Sequence, residues 1–408
     1  MIPFLAADPL FAVDPLLEGG LDTTVILIFV VKAIIVFVLL LLSVLFYIWF
    51  MRKVIADMQN RIGPQRAGPF GILQTLADGI KLFFKEQSEP TTADRPVYLL
   101  APYLSILPAF LAFAIVPIGG TVSIAGHVTE LQLADPDIGV LWLLMMSGIG
   151  LYGVMLAGWS SGSKYPLLGS VRASAQLLSY EAAMGLAIVG VLVHTGTLST
   201  RGIVNQQSWT GAGSIFSDWF WLPAIGAFVI FLISATAETN HPPFDLVEAE
   251  QELVGGFHTE YTGIRFALFF LAEFMNLITM CAIAVTLFLG GPSGPGLEGL
   301  GVASDSFLNT WLMPIVWFFA KLLVLLYATV WVRASLPRLR YDRLMDLGWK
   351  VLIEAAFLWA MVTGLIVVAR DQGWNLWIVT PAATVGALLI YVLLMACVPK
   401  REEVEEWK

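Results

Sequence analysis

Four charged side chains stand inside long apolar runs: Lys32, Glu181, Glu273 and Lys321. A charge held in hydrocarbon is costly, so each marks either a partnered structural ion or a group that exchanges protons. Glu181 follows Ser179-Tyr180 and has no cation near it in sequence, which points to proton transfer. Glu273 lies about two helical turns from Arg265, so a structural ion pair competes with a protonation role there. Arg265 and Glu354 open their runs and can snorkel to the interface.

A second group of acids lies between two apolar runs. Residues 237–263, AETNHPPFDLVEAEQELVGGFHTEYTG, hold Glu238, Asp245, Glu248, Glu250, Glu252 and Glu260 but no Lys or Arg. A solvated acidic loop is one reading. The interleaved Pro242-Pro243-Phe244, Leu253-Val254-Gly255-Gly256-Phe257 and Tyr261 favour another, in which a partner covers the loop and part-buries its carboxylates. Crowded, desolvated carboxylates take up protons closer to neutral pH than free ones do. In an extended segment, the alternation of Glu248, Glu250 and Glu252 would place them on one face.

The elements that must carry these groups follow from composition. The 408 residues are 58% hydrophobic and only 13% charged, against roughly 25% charged in ordinary globular proteins. So few charges cannot cover a soluble surface, and the solvent for most of the chain is lipid. A net charge of -9 also argues against nucleic acid as a partner. Nine apolar runs read as membrane spans, at 24–50, 97–118, 138–158, 177–198, 218–237, 265–290, 307–332, 351–368 and 376–398. Most are near the ~20 residues that cross ~30 Å of hydrocarbon; the first is longer and should tilt or emerge. The expected fold is thus an all-α integral membrane protein, a polytopic bundle of about nine helices. Residues 1–23 lack Lys and Arg and do not resemble the start of a signal peptide.

The connections set the orientation. Arg52, Lys53, Arg61, Arg66, Lys81, Lys85 and Arg95 fill the first, Lys164 and Arg172 the third, and Arg333, Arg338, Arg340, Arg343 and Lys350 the seventh, with Lys400, Arg401 and Lys408 in the tail. The even connections hold only Arg201 and Arg370. The positive-inside rule therefore places the N-terminus outside and the C-terminus inside. In the first connection, Arg61-Ile-Gly-Pro-Gln-Arg-Ala-Gly-Pro69 forbids a continuous helix, and 70–86 then shows a helical apolar face. That segment is either an interfacial helix on lipid or a wedge between bundle and partner, with Asp78 and Lys81 paired at i, i+3. Gly150, Gly153 and Ala157 have the spacing of a close helix contact. Two cysteines, Cys281 and Cys397, and four scattered histidines provide no iron–sulfur, haem or other metal ligand set, so electron carriers would belong to partners.

Five stretches together resemble one family, the quinone-chamber membrane subunits of proton-pumping NADH:quinone oxidoreductase, respiratory complex I. They are RIGPQRAGPFGILQTLADGIKLFFKE (61–86), GWSSGSKYPLLGSVRASAQLLSYE (158–181), AETNHPPFDLVEAEQELVGGFHTEY (237–261), FALFFLAEFMN (266–276) and WVRASLPRLRYDRLMDLGWK (331–350). The resemblance implies an eight-helix core (24–368) in a bacterial plasma membrane that docks the peripheral redox arm and other membrane-arm subunits. It further implies a quinone-access chamber, with FMN and iron–sulfur clusters in partner subunits and quinone and lipids as contacts. Arg52, Arg61, Asp78, Lys81, Arg172, His241, Asp245 and Glu260 would line the chamber. Glu181, Glu238, Glu248, Glu250, Glu252 and Glu273 would handle protons. The cytoplasmic connections would be 51–96, 159–176, 238–264 and 333–350.

Three departures from the family pattern stand out. Met51 occupies the place of the usual Glu before the Arg-Lys pair, and His241 that of the usual Arg. Residues 369–408, with a ninth span and a charged tail, extend past the family's usual end. A related membrane subunit of an energy-converting hydrogenase, without quinone, is the alternative reading. A stand-alone transporter is weaker still, since no inverted repeat is evident. Because Lys400-Arg401 directly follow the uncharged run 376–398, a reporter cysteine at Glu405 is expected to label only from the cytoplasmic side. Labelling from the outer side would contradict the topology.

Overall fold

The computed structural model describes Asp14, Leu16 and residues 22–124, 126–208, 219–247, 253–296 and 306–397. Chain order is α1 (Thr23–Met58), a 3-10 turn (Pro69–Gly71), α2 (Gln74–Phe84), α3 (Arg95–Phe113), β1 (Thr121–Ile124), β2 (His127–Glu130), α4 (Gly139–Ser160), α5 (Lys164–Thr195) and α6 (Thr200–Gln206). There follow α7 (Ile225–Glu238), a 3-10 turn (Gly256–His258), α8 (Gly263–Phe288), α9 (Leu308–Ser335), α10 (Tyr341–Asp371) and α11 (Leu376–Cys397). A helix occupies each of the nine apolar runs. Among the described residues, α1, α3, α4, α5, α8, α9 and α10 are each long and apolar enough to cross a bilayer. The chain is an all-helical, multi-pass membrane protein.

Several boundaries differ from the sequence expectation, each for a local reason. The second run ends as helix at Phe113; a buried turn at Ala114 and Ile115, then the buried, non-helical Val116 and Ile118, lead into an antiparallel hairpin with Ile124 opposite His127. The fifth run yields only the 14 residues of α7. Trp219, Phe220 and Trp221 precede it as an apolar turn, which adds hydropathy without adding helix. Conversely, α5 begins at Lys164, so most of the expected third connection is helical and carries Arg172. At 36 residues, α1 runs to ~54 Å at ~1.5 Å per residue and must emerge from the hydrocarbon.

The core is built around α8. In its most apolar stretch 72% of residues are buried, against 22% for α1, so α8 is the central pillar and α1 faces mostly outward. Around α8 pack α1, α3, α7 and α9, while α5 joins α4, α7 and α10, and α11 lies against α10. Lys321 of α9 closes the C-terminal end of α8. Its ammonium donates to the carbonyls of Leu289 (2.6 Å), Gly291 (2.9 Å) and Ser293 (2.6 Å) and stands 3.9 Å from the Trp219 ring centroid. Gln207 donates to the Thr286 and Leu287 carbonyls, both at 3.1 Å, so exposed helix-end acceptors are satisfied inside the bundle. Lys32 is likewise closed, by Asp14 and by Thr129 Oγ1 at 2.9 Å.

Helices α3 and α4 touch at backbone distance. A Cβ at Gly153 would fall 2.2 Å from Ser105 Oγ and 2.7 Å from the Ser105 amide nitrogen. Ala157 of the same stripe is fully buried. Gly150 instead has open space around it and faces a cavity. Gly153→Ala should therefore lower the melting temperature of the purified protein, by the ~1–3 kcal/mol of an overpacked contact, whereas Gly150→Ala should not. Equal effects of the two would contradict this packing.

Candidate functional site

The acids of the apolar runs and the buried Glu238 lie where α4, α5, α7 and α8 converge. Glu238 is the last residue of α7, and its Oε1 accepts a hydrogen bond from Ser147 Oγ of α4. Its Oε2 is buried without a protein partner among the described residues. The next residue of α4, Gly148, faces Glu181 of α5: a Cβ there would lie 3.7 Å from Glu181 Oε1. Glu181 is also an electrostatic neighbour of Glu238. Glu238 and Glu273 of α8 line one cavity of about 60 Å³, together with Ser105, Ser147, Asn240 and Asn276. That volume has room for a few waters, and the polar lining gives them partners. Two acids from different helices thus share one small polar space inside the bundle, and Glu181 stands by Gly148, the neighbour of the cavity-lining Ser147.

The connection after α7 is pinned from both sides. Gln176 of α5, fully buried, donates through Nε2 to the carbonyls of Ala237 (2.8 Å) and Phe244 (3.0 Å), and to Asn240 Oδ1 at 3.3 Å. Asp245 pairs with Arg338 at 2.8 Å, and the Leu339 amide donates to the Pro243 carbonyl at 3.1 Å. At the far end, Tyr98 and Tyr261 stack with ring centroids 4.2 Å apart. Tyr98 OH donates to the Glu260 carbonyl at 2.8 Å, and Tyr261 OH to the Tyr98 carbonyl at 3.0 Å. Burial pushes the Tyr261 hydroxyl up, keeping it a neutral donor. Between these anchors, Glu248, Glu250 and Glu252 lie outside the described residues.

His241 sits at the start of this connection, 3% exposed. Its Nδ1 is 2.8 Å from the Thr239 carbonyl and 3.5 Å from Glu273 Oε1. Burial, and then the positive charge of Arg333, outweigh the Thr239 carbonyl and hold the imidazole down at about 4. The ring is therefore neutral at neutral pH, and its contact with Glu273 is not an ion pair. Met51, the other departure from the family pattern, contacts the same Arg333 whose charge reaches His241: Nη1 is 3.4 Å from its sulfur.

Two expected pairings are corrected. Glu273 does not take Arg265, which reaches Glu89 at 2.7 Å. That arginine's hydrogen bond holds the Glu89 carboxyl below the usual carboxylate range; desolvation opposes it, and the charges of Arg265 and Arg95 add to it. Asp78 takes Arg52 at 2.8 Å, not Lys81, because α2 docks its polar face on the emerging end of α1. The remaining chamber candidates are spread along the same polar end. Arg61 is exposed and donates to Gln59 Oε1 at 2.6 Å. Lys81 is exposed on α2, Arg172 lies 5.5 Å above the Tyr341 ring, and the Glu260 side chain is half-buried.

Sequence reading passed over Ser147, Gln176, Asn276, Arg333 and Arg338 as site residues. All but Ser147 lie inside the five family-like stretches, which was the available signal. Ser147 has none, being a single neutral polar residue in an apolar run.

Burial by itself would raise the Asp78 carboxyl. The hydrogen bonds from Arg52 and Gln74, with the charges of Arg52 and Lys81, outweigh it and lower the group below its ordinary value. A lowered carboxyl contributes stability above its unfolded pKa and loses it as pH falls through the folded one. For a pair exposed by 39% and 32%, the contribution is small, under ~1 kcal/mol. Amide exchange of 74–84 should accelerate modestly in Arg52→Met at neutral pH, and in the parent only below the ordinary carboxylate range. Identical exchange in both proteins at neutral pH would show that the pair does not hold α2.

Known proteins share this arrangement of sequence. A family model described as NADH dehydrogenase matches residues 31–364. The chain is 50% identical over 387 residues to the H subunit of NADH-quinone oxidoreductase from Frankia alni, covering 94% of this chain and 82% of that protein. It is 51% identical over 385 residues to the protein of the same name from Frankia casuarinae, again covering 94% and 82%. Alignments of that length in a 408-residue chain must run past residue 369, so part of the extension that carries α11 is shared with these relatives and is not peculiar to this sequence.

Proposed function

The chain belongs to the NADH dehydrogenase family, and we propose that it serves as the membrane subunit of a bacterial plasma-membrane NADH-quinone oxidoreductase that receives quinone and couples its reduction to proton movement. The observation that carries this reading is the shared cavity of Glu238 and Glu273, with Glu181 beside it, at the root of the acidic connection.

Reduction of a quinone to a quinol takes up protons along with electrons. Groups able to supply and then recover protons must therefore stand near the headgroup, on a path that can be refilled. The acidic connection offers Asp245, Glu248, Glu250, Glu252 and Glu260 on the approach. Glu238, Glu273 and Glu181 stand further in. Mutual repulsion among closely placed carboxylates makes them titrate as a set, so a proton added at one end favours release at another. Arg52, Arg61, Lys81 and Arg172 supply positive charge around the polar end of the bundle. Electrons come from outside this chain: in this reading a peripheral arm carrying FMN and iron–sulfur clusters delivers them. Other membrane-arm subunits take the protonation change onward. A hydrogenase-type anchor without quinone is not favoured by relatives that carry the quinone oxidoreductase name.

The reading is tested with Glu181→Gln and Glu248→Gln in assembled complex at equal amounts. Both should lower NADH:quinone reductase activity about tenfold or more, within the range typical of a lost proton-transfer group, and Glu181→Gln should also lower proton pumping. Electron transfer to an artificial acceptor reduced upstream of the quinone should be unchanged. Equal losses with both acceptors would mean a structural role, and wild-type rates with quinone would leave the acids as ordinary loop and packing residues.

A further inference from the structure

The two ring nitrogens of His241 meet different surroundings. The Thr239 carbonyl, 2.8 Å from Nδ1, can only accept, so Nδ1 carries the proton. The same nitrogen is 3.5 Å from Glu273 Oε1. Across the ring, Nε2 is buried with its lone pair unmatched by any described residue. Phe274 meets the ring edge-on, centroids 5.4 Å apart and planes at 85°, which fixes its plane without offering a competing polar atom. The charged groups facing it are Glu273 from α8 and Arg333 from α9. A buried polar atom without a partner is rare and calls for an explanation. Here it belongs to a ring whose other side addresses an acid at the shared cavity.

We propose that His241 carries protons to Glu273 by changing tautomer, which makes the imidazole the link between the acidic connection and the cavity. This rests on the proton-coupling reading given above. A proton arriving from the connection forms a new N–H bond at Nε2. The Nδ1–H bond breaks, and its proton forms an O–H bond on Glu273 Oε1. The ring stays neutral, and one negative charge disappears from the Glu273 carboxylate. Reaching ordinary hydrogen-bond distance requires Nδ1 and Oε1 to close by under ~1 Å. The starting tautomer returns through a second exchange, in which Nδ1 gains an N–H bond and the Nε2–H bond breaks. The nearby positive charge of Arg333 disfavours a lasting imidazolium, so the ring passes a proton on and does not store it. From Glu273 the proton shares a polar space with Glu238.

The test uses assembled complex in membranes, with His241→Gln, His241→Gly and Glu273→Gln. A glutamine amide can still donate to the Thr239 carbonyl but cannot shuttle a proton. His241→Gln should therefore keep normal assembly and artificial-acceptor activity while losing about tenfold or more of quinone reductase activity. His241→Gly should show the same loss, and added imidazole should restore part of it, which a merely structural role for the side chain would not produce in His241→Gly without a matching gain in its thermal stability. Wild-type quinone reductase in His241→Gln overturns the relay. So does a loss in His241→Gly that imidazole fails to relieve, or relieves only by restoring stability. If His241→Gln is unaffected while Glu273→Gln is impaired, the relay alone is wrong. If Glu273→Gln and Glu181→Gln are also unaffected, the proton-coupling reading falls with it.

Discussion

Everything in this bundle follows from the cost of placing charge where lipid, not water, is the solvent. An ion or polar atom in hydrocarbon must find partners within the protein or share a small pool of water. The chain meets this requirement in two ways. Lys321 uses its three N–H donors on three carbonyls at the end of α8, with the Trp219 face beside it. Lys32 is closed by Asp14 and Thr129. In these sites each charge joins segments distant in sequence.

The second way is incomplete satisfaction. Glu238 accepts from Ser147 through one oxygen, and its other oxygen and His241 Nε2 have no partner among the described residues. Glu238 lines the cavity where α4, α5, α7 and α8 meet, and His241 follows three residues later beside Glu273 of the same cavity. The closed lysines hold α8 and the hairpin in place.

Much of this was legible in the sequence, and the reasons for the remainder are physical. Glu181, Glu273 and Glu238 announced themselves because charge in or beside an apolar run is costly and therefore rare. Among the described residues each of the nine apolar runs holds a helix, the fifth only 14 residues of one. Neutral polar partners gave no charge signal: Ser147 looks like an ordinary span residue, and Gln176 stood out only as part of a family-like stretch. Hairpin strands of four residues fell below the length at which alternation can be read. The apolar turn at Trp219–Trp221 mimicked a span because hydropathy registers composition and not backbone geometry. Pairing was the least legible level. Asp78 chose Arg52 over the sequence-adjacent Lys81, and Arg265 chose Glu89 over Glu273, because docking between elements outweighs spacing within one helix.

The placement of the acids at a helix–loop junction has a mechanical consequence. Glu238 ends α7, and Thr239, Asn240 and His241 follow it directly, all within the segment that Gln176 holds through the carbonyls of Ala237 and Phe244. The Arg338–Asp245 pair fixes the next residues, and the Tyr98–Tyr261 stack fixes the return into α8. A ligand or partner that pulled on the stretch between these anchors would load backbone that itself bears the buried acid and the histidine. No long chain of packed side chains would be needed to carry the displacement, because the loop and the proton-bearing groups are consecutive residues. Hydrogen bonds from one buried glutamine, set against an exposed arginine on an outer segment, would then determine how far such a pull could travel before Glu238 left its Ser147 partner.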